Sequence, residues 1–179
     1  SYHKDLLGWI PSEQSYTAPP GGTATITLER LAQPANDNYK IGRIPINGSS
    51  QYFYTVEARK RVSYDYRLPY SGVVIHKVDT ARPEPAHVMD GDLNGDAGDD
   101  GAIWTPGETF FDAANQIEVR VESSTSTGMV VTIRQGAASA PTPTPTPTPM
   151  PYLQRVNSGG PTYTDTQGNV WAADQYYNG

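Results

Sequence analysis

An all-β fold, an antiparallel β-sandwich entered by a short N-terminal helix, is predicted for this chain of 179 residues. Three observations carry the prediction. Apolar residues recur with a period of two and not 3.6; the apolar runs are short and rich in β-branched and aromatic residues; and each run is bounded by Gly, Pro, Asn or Ser.

The elements follow in order. "YHKDLLGWI" places Tyr2, Leu6 and Ile10 at helical spacing, with Gly8 and Pro11 as breakers, so a last turn of helix is predicted at the start. A helix that short is marginal alone and is expected to belong to a domain whose body lies upstream of residue 1. "TATITLERL" from Thr23, "YKIGRIPI" from Tyr39, "YFYTVEAR" from Tyr52 and "GVVIHKVD" from Gly72 then read as strands. "IEVRVES" from Ile117 and "GMVVTIR" from Gly128, joined by "STST", read as a terminal hairpin, although the connection lacks an Asn-Gly signal. Six such strands imply a sandwich or barrel over residues 11–135. Residues 136–151 form a Pro/Thr-rich linker: the alternating prolines of "PTPTPTPTPMP" favour polyproline II, at about 3.1 Å per residue a semi-rigid spacer of roughly 30 Å. Residues 152–179 are the start of an incomplete second β domain, too short to bury a core.

Composition narrows the function. The net charge is −6, and the seven acidic groups between Val88 and Asp112 stand without a lysine or arginine among them. No basic stripe is present, which argues against nucleic acid as a partner. No apolar run approaches the roughly 20 residues of a membrane helix, so no membrane span is expected. Cysteine is absent, which removes zinc thiolates, disulfides and a cysteine nucleophile together. Neither a phosphate-binding Gly-rich loop nor GxSxG occurs. The first residues also lack the basic start and apolar core of a signal peptide.

The densest chemistry lies in "DGDLNGDAGDD". Asp90, Asp92, Asn94 and Asp96 alternate, and Gly95 is free to take a sharp turn, as in the first half of an EF-hand-like loop. Hard oxygen donors at this density suit Ca²⁺. The twelfth position, where a bidentate Glu belongs, is Gly101; Asp99 or Asp100 could substitute from a tighter loop. The plainer reading is a solvated acidic loop, but five uncompensated carboxylates repel one another, and a calcium site at Asp90, Asp92, Asn94, Asp96, Asp99 and Asp100 is the expectation. Elsewhere, Glu57, Arg59 and Asp65 are expected to form an ion-pair network between adjacent strands, with Tyr52, Tyr54, Tyr64, Tyr66 and Tyr70 as either a sheet face or an exposed binding face. His76, between apolar residues, reads as a hydrogen-bonded structural histidine, His3 as a capping or surface residue, and Trp104 with Pro106 and Gly107 as a packed corner at the exit of the acidic loop.

Taken in order, "YHKDLLGWI", "YTVEARKRVSYDYRLPYSGVVIHKVD" and "GAIWTPGETF" resemble the region just after the catalytic domain of secreted zinc metallopeptidases of the immune inhibitor A and gametolysin type, over residues 1–134. The resemblance implies that residues 1–10 end an upstream catalytic domain, that this protease domain of the same parent chain is the sandwich's partner, and that the protein is extracellular. Such enzymes need HExxH, two zinc-binding histidines one helical turn apart. Among His3, His76 and His87 none has a second histidine at i+4, so no catalytic residue is assigned and zinc is expected only upstream. "YLQRVNSGGPTYTDTQGNVWAADQYYNG" resembles the opening of a malectin-type carbohydrate-binding domain, matching at Arg155, Asn157, Gly159, Gly160, Tyr163, Thr164, Asp165, Gly168, Trp171 and Asp174. The complete domain would take a polysaccharide or glycan. The two resemblances together imply a non-catalytic fragment of a secreted metallopeptidase joined to a sugar-binding module. The alternative is an adhesion or carbohydrate-binding protein of tandem β-sandwiches without a peptidase.

Overall fold

A computed structural model describes residues 2–32, 38–96, 98–136, 156–157 and 160–173, with 156–157 as backbone only. The chain divides into two compact units, Ser1–Ala140 and Pro141–Gly179. The Pro141–Pro151 linker lies outside the described residues, as do Arg155, Gly159 and Asp174.

The first unit is all-β and built as two sheets. Strands β1 (Ser15–Thr17), β3 (Ile41–Pro45), β4 (Tyr52–Arg59), β5 (Gly72–Asp79) and β6 (Ala86–Val88) form one sheet in the order β1-β3-β4-β5-β6. Strands β2 (Thr23–Glu29), β7 (Thr109–Asp112), β8 (Ile117–Ser124) and β9 (Gly128–Gln135) form the other, in the order β2-β9-β8-β7. All pairings are antiparallel except that of β1 with β3. The six strands expected from the period of two are present, and the β8–β9 hairpin closes through Thr125, whose Oγ1 accepts the Gly128 N–H at 2.8 Å. Strands β1, β6 and β7 were not foreseen; at three to four residues they are shorter than the alternation that would reveal them.

The four-stranded sheet keeps one face wet. Ile117, Val119 and Val121 of β8 are buried while Glu118 and Arg120 between them point to solvent, where Arg134 pairs with Glu118 at 3.6 Å. On the same face Thr25 and Thr132, directly opposed in the register, share a hydrogen bond of 2.9 Å. Its inner face meets Ile44, Tyr54, Val56, Ala58, Val73 and Ile75 of the five-stranded sheet in one core. Gln135 at the end of β9 donates its side-chain N–H to the Pro45 carbonyl, stapling the sheets where both strands finish.

Strand β4 is buried on both faces from Phe53 to Ala58. Its outer side is covered by the opening segment: helix α1 (Tyr2–Leu6) brings the Tyr2 ring to 6.0 Å from Phe53, Arg43 lies 3.6 Å over the Phe53 ring, and Asp5 pairs with Arg43 at 4.0 Å. Ile10 closes a smaller cluster with Leu31 and Ile41. The expected stripe of Tyr2, Leu6 and Ile10 is corrected in one respect. Gly8, at φ +70°, turns the chain after five helical residues, so residue 10 does not continue the helix face and Leu6 is left exposed. Leu6, Leu7 and Trp9 are 61–68% exposed.

In the second unit, β10 (Val156–Asn157) runs parallel to β12 (Val170–Ala173), and β11 (Tyr163–Thr164) pairs antiparallel to it. Among its residues with described side chains none is buried.

Candidate functional site

The acidic loop after β6 is organised by short polar side chains bonding to its own backbone. Asp90 Oδ2 accepts the Gly95 N–H at 2.8 Å, and its Oδ1 accepts those of Asp92 and Leu93 at 3.2 Å. Asp92 Oδ1 accepts from the Asn94 N–H at 3.1 Å, Asn94 Oδ1 from Asp96 at 2.7 Å, Asp96 Oδ1 from Gly98 at 2.9 Å and Asp99 Oδ1 from Gly101 at 2.9 Å. This is the physical reason for Asp and Asn at alternate positions: each satisfies an N–H two residues on. Gly95 takes φ +87°, a left-handed conformation open to glycine without steric cost.

Asn94 Nδ2 donates to Asp92 Oδ2 at 3.0 Å and to Asp99 Oδ2 at 2.6 Å, and so draws those three residues together. Asp96 bonds to Gly98 instead, and Asp100 opens the 3₁₀ turn Asp100–Ala102. The Gly91 N–H closes the neck of the loop on the Gly101 carbonyl at 2.9 Å. Gly101 has a spatial reason to replace the expected Glu: a Cβ there would stand 2.6 Å from Asp92 Cγ, so the Asp92 carboxylate fills the place a longer ligand would need. Among the described residues, no three Asp, Glu or His side chains converge closely enough to hold a metal ion. The oxygen donors are spread along the loop and not gathered on one point.

Charge crowding is visible all the same. The Gly95 N–H, joined by those of Asp92 and Leu93, holds the Asp90 carboxyl below the usual carboxylate range. For Asp92 the Asn94 N–H works in the same direction, but the neighbouring Asp90 carboxyl and the charge of Asp99 outweigh it and push Asp92 upward. Asp92 and Asp100 also line a cavity of about 340 Å³ with Trp104 and Glu108. Sequence reasoning missed Glu108, whose Oε2 accepts the Thr105 N–H at 2.5 Å and its hydroxyl at 3.0 Å; the Thr-x-x-Glu spacing was the signal available. Trp104 is the packed corner expected. It exchanges backbone hydrogen bonds with Val73 at 2.8 and 2.9 Å and meets Phe110 edge-on at 5.8 Å.

The Glu57 network forms, with a different connectivity. Arg59 reaches Glu57 Oε1 at 2.6 Å and Asp65 Oδ1 at 3.1 Å, so it joins its own strand to the turn Ser63–Asp65 and not two adjacent strands. Residues two apart share a strand face, which puts Glu57 and Arg59 side by side. Burial works to raise the Glu57 carboxyl, yet neighbouring positive charge, that of Arg59 included, holds it below the usual carboxylate range. His76 faces this network with its Nδ1 buried and without a hydrogen-bond partner among the described residues, unlike the hydrogen-bonded histidine expected, and burial pushes it below its usual range. His3 is exposed, against the Tyr2 ring at 5.2 Å. The five tyrosines divide: Tyr54 is in the core and Tyr52 against it, whereas Tyr64 (90% exposed), Tyr66 and Tyr70 project from the loop before β5.

In the second unit, Asp165 organises the β11–β12 turn. Its carboxylate accepts from the Asn169 side chain at 3.0 Å and N–H at 2.9 Å, from Trp171 Nε1 at 3.2 Å and from the Gln167 N–H at 3.0 Å, which together hold it down to about 2. Gly168, at φ +83°, completes the turn. Asp165, Gly168 and Trp171 thus serve one local fold. Comparison with protein-family models, with curated proteins and with solved structures returns no match for the chain.

Proposed function

We propose that the β-sandwich is a non-catalytic supporting module of a secreted zinc metallopeptidase, that its Asp90–Asp100 loop takes a structural Ca²⁺, and that residues 152–179 open a carbohydrate-binding module. The observation that carries the supporting role is the run Leu6, Leu7 and Trp9, three large apolar side chains more than half exposed on the segment that straps the outer face of the five-stranded sheet. Single exposed apolar residues are ordinary; three within four positions are a surface that a neighbouring domain would cover. The motif residues of the resemblance support it further, since Glu57, Arg59 and Trp104 are spent on architecture and not on chemistry.

Asp90, Asp92, Asn94 and Asp96, with Asp99 or Asp100, would hold the ion, and to do so they would have to draw together from the spread arrangement of the loop. Their donor chemistry fits a hard divalent cation, whose charge would offset the crowding of Asp90 and Asp99 around Asp92. The ion supplies charge neutralisation; the residues supply the turn.

Two experiments test the reading. Sequencing the gene immediately upstream of the codon for Ser1 is expected to reveal an HExxH helix, and its absence there would overturn the peptidase assignment. Calorimetry of the chain with Ca²⁺ after exhaustive chelation is expected to show saturable binding that Asp90→Ala and Asp92→Ala abolish; no heat in the unaltered chain removes the calcium role.

A further inference from the structure

The inward-facing row of the five-stranded sheet does not finish in apolar residues. Val56, Ala58, Val73 and Ile75 belong to the core, and the same row continues through Tyr54 opposite Lys77, Lys77 opposite His87, and Tyr52 opposite Asp79. At this end of the sandwich the row frames a cleft of about 210 Å³ lined by Tyr52, Lys77, Asp79, Arg82, His87 and Met89. Tyr52 and Met89 pack against the core and supply apolar walls.

The charges of the cleft run against those of the chain. Acidic residues outnumber Lys and Arg by 19 to 13 overall, yet here two cations and an imidazole meet one carboxylate. That carboxylate is already engaged: Asp79 accepts the Ala81 N–H at 3.1 Å and pairs with Arg82 Nε at 3.6 Å. Arg82 Nη1 lies 3.4 Å from His87 Nε2. Lys77 Nζ stands 5.1 Å from the Tyr52 ring and 5.7 Å from the Tyr54 ring, with no hydrogen bond or ion pair among the described residues. A lysine on an inward row gives up hydration that two aromatic faces only partly replace. Its charge reaches the Asp112 carboxylate, whose oxygens are already taken by the Tyr54 hydroxyl and the Asn115 side chain, so the ammonium keeps its hydrogen-bonding capacity for a ligand.

We propose that this cleft binds a compact oxyanion, a carboxylate or a phosphate on a small organic body. Lys77 and the free edge of the Arg82 guanidinium take its charge, His87 adds a hydrogen bond, and Tyr52 and Met89 hold the body. The volume suits one small ring and not a polymer. The inference is independent of the supporting role and of calcium.

The test is an NMR titration of the 179-residue chain with sodium glucuronate, sodium phosphate and, as the neutral control, glucose, at constant ionic strength. One or both anions are expected to shift the amides of Lys77, Arg82 and His87 saturably, while glucose does not. Glucuronate alone assigns a ring-borne carboxylate, and phosphate alone assigns a phosphate group. Lys77→Gln and Arg82→Gln are each expected to weaken binding about tenfold, the loss of one charge-assisted contact. Arg82, with its side chain 61% exposed, can be replaced without disturbing the core, so a folded variant is available. The proposal fails if neither anion binds, if glucose binds as well as glucuronate, or if both variants bind as the unaltered chain does.

Discussion

Asp112 shows how much one side chain at a strand end can hold. Its carboxylate accepts the Tyr54 hydroxyl at 2.7 Å, the Asn115 side chain at 2.6 Å and the backbone N–H groups of Ala114 and Asn115 at 3.1 and 3.2 Å. Tyr54 is buried, so this acceptor is what permits a hydroxyl inside the core. Asp112→Ala is expected to cost about 1–3 kcal/mol in denaturant unfolding, because the hydroxyl is left unpaired. Burial works to raise the Asp112 carboxyl, but the hydrogen bonds from Asn115 and Tyr54, with the charge of Lys77, hold it below its ordinary value. A depressed folded-state value gives stability that is full above the unfolded aspartate pKa of about 3.9 and is lost as pH falls through the folded one. The melting temperatures of the unaltered chain and of Asp112→Asn are therefore expected to differ at neutral pH and to converge in acid; a constant difference would show that the charge of Asp112 is not what stabilises. In the acidic loop the sharp turn at Gly95 was legible, whereas the alternation of Asp and Asn was read only as a ligand pattern for Ca²⁺ and not as a set of side chains that each serve an N–H two positions on. The seating of the Asp92 carboxylate against Gly101, and the arrival of Glu108 at the same cavity, were not legible, because both depend on how the loop folds back on itself.

Among the elements, β4 carries the heaviest constraint. Its inner side chains complete the core, and on its outer face a fully buried carboxylate is matched to Arg59, which Asp65 holds from the other side. Removing Arg59 takes the matched cation from a carboxylate inside the fold, so Arg59→Ala is expected to destabilise by about 3 kcal/mol. Replacing Glu57 and Arg59 together with apolar residues is expected to cost less than the single change; equal losses in a denaturant series would mean the pair acts only through its bulk. The strands of five to eight residues were readable because each spans at least two full alternations. β7 was not, though it contains two phenylalanines: in four residues Phe110 turns inward and Phe111 outward, a pattern too short to separate from a loop. β1 and β6 close the two edges of their sheet with three residues each, lengths that limit edge-to-edge association and that leave almost no trace in composition.

At the scale of the whole molecule, the acidic loop is the place where solution conditions meet stability. If the loop takes Ca²⁺, free ion at one hundred times its Kd adds about 2.7 kcal/mol to the folded state, and a thermal melt is expected to move upward by several degrees on adding Ca²⁺ and back on chelation. An unmoved melt would mean the carboxylates are held by their own N–H groups alone. The pairing of β2 with β9 sets Thr23 beside Arg134, and the Gln135 N–H reaches the Gly22 carbonyl at 2.9 Å. Since β9 separates β2 from β8, the four-stranded sheet has no continuous hydrogen bonding until its last strand is in place. A growing polypeptide therefore carries β2 through the synthesis of the 98 residues from Arg30 to Thr127 before its partner begins. Contacts so far apart in sequence put refolding in the range of about milliseconds to seconds. They also make completion of the module a late, all-at-once event, in which a chain cut short of Gly128 would expose two bare strand edges to its neighbours.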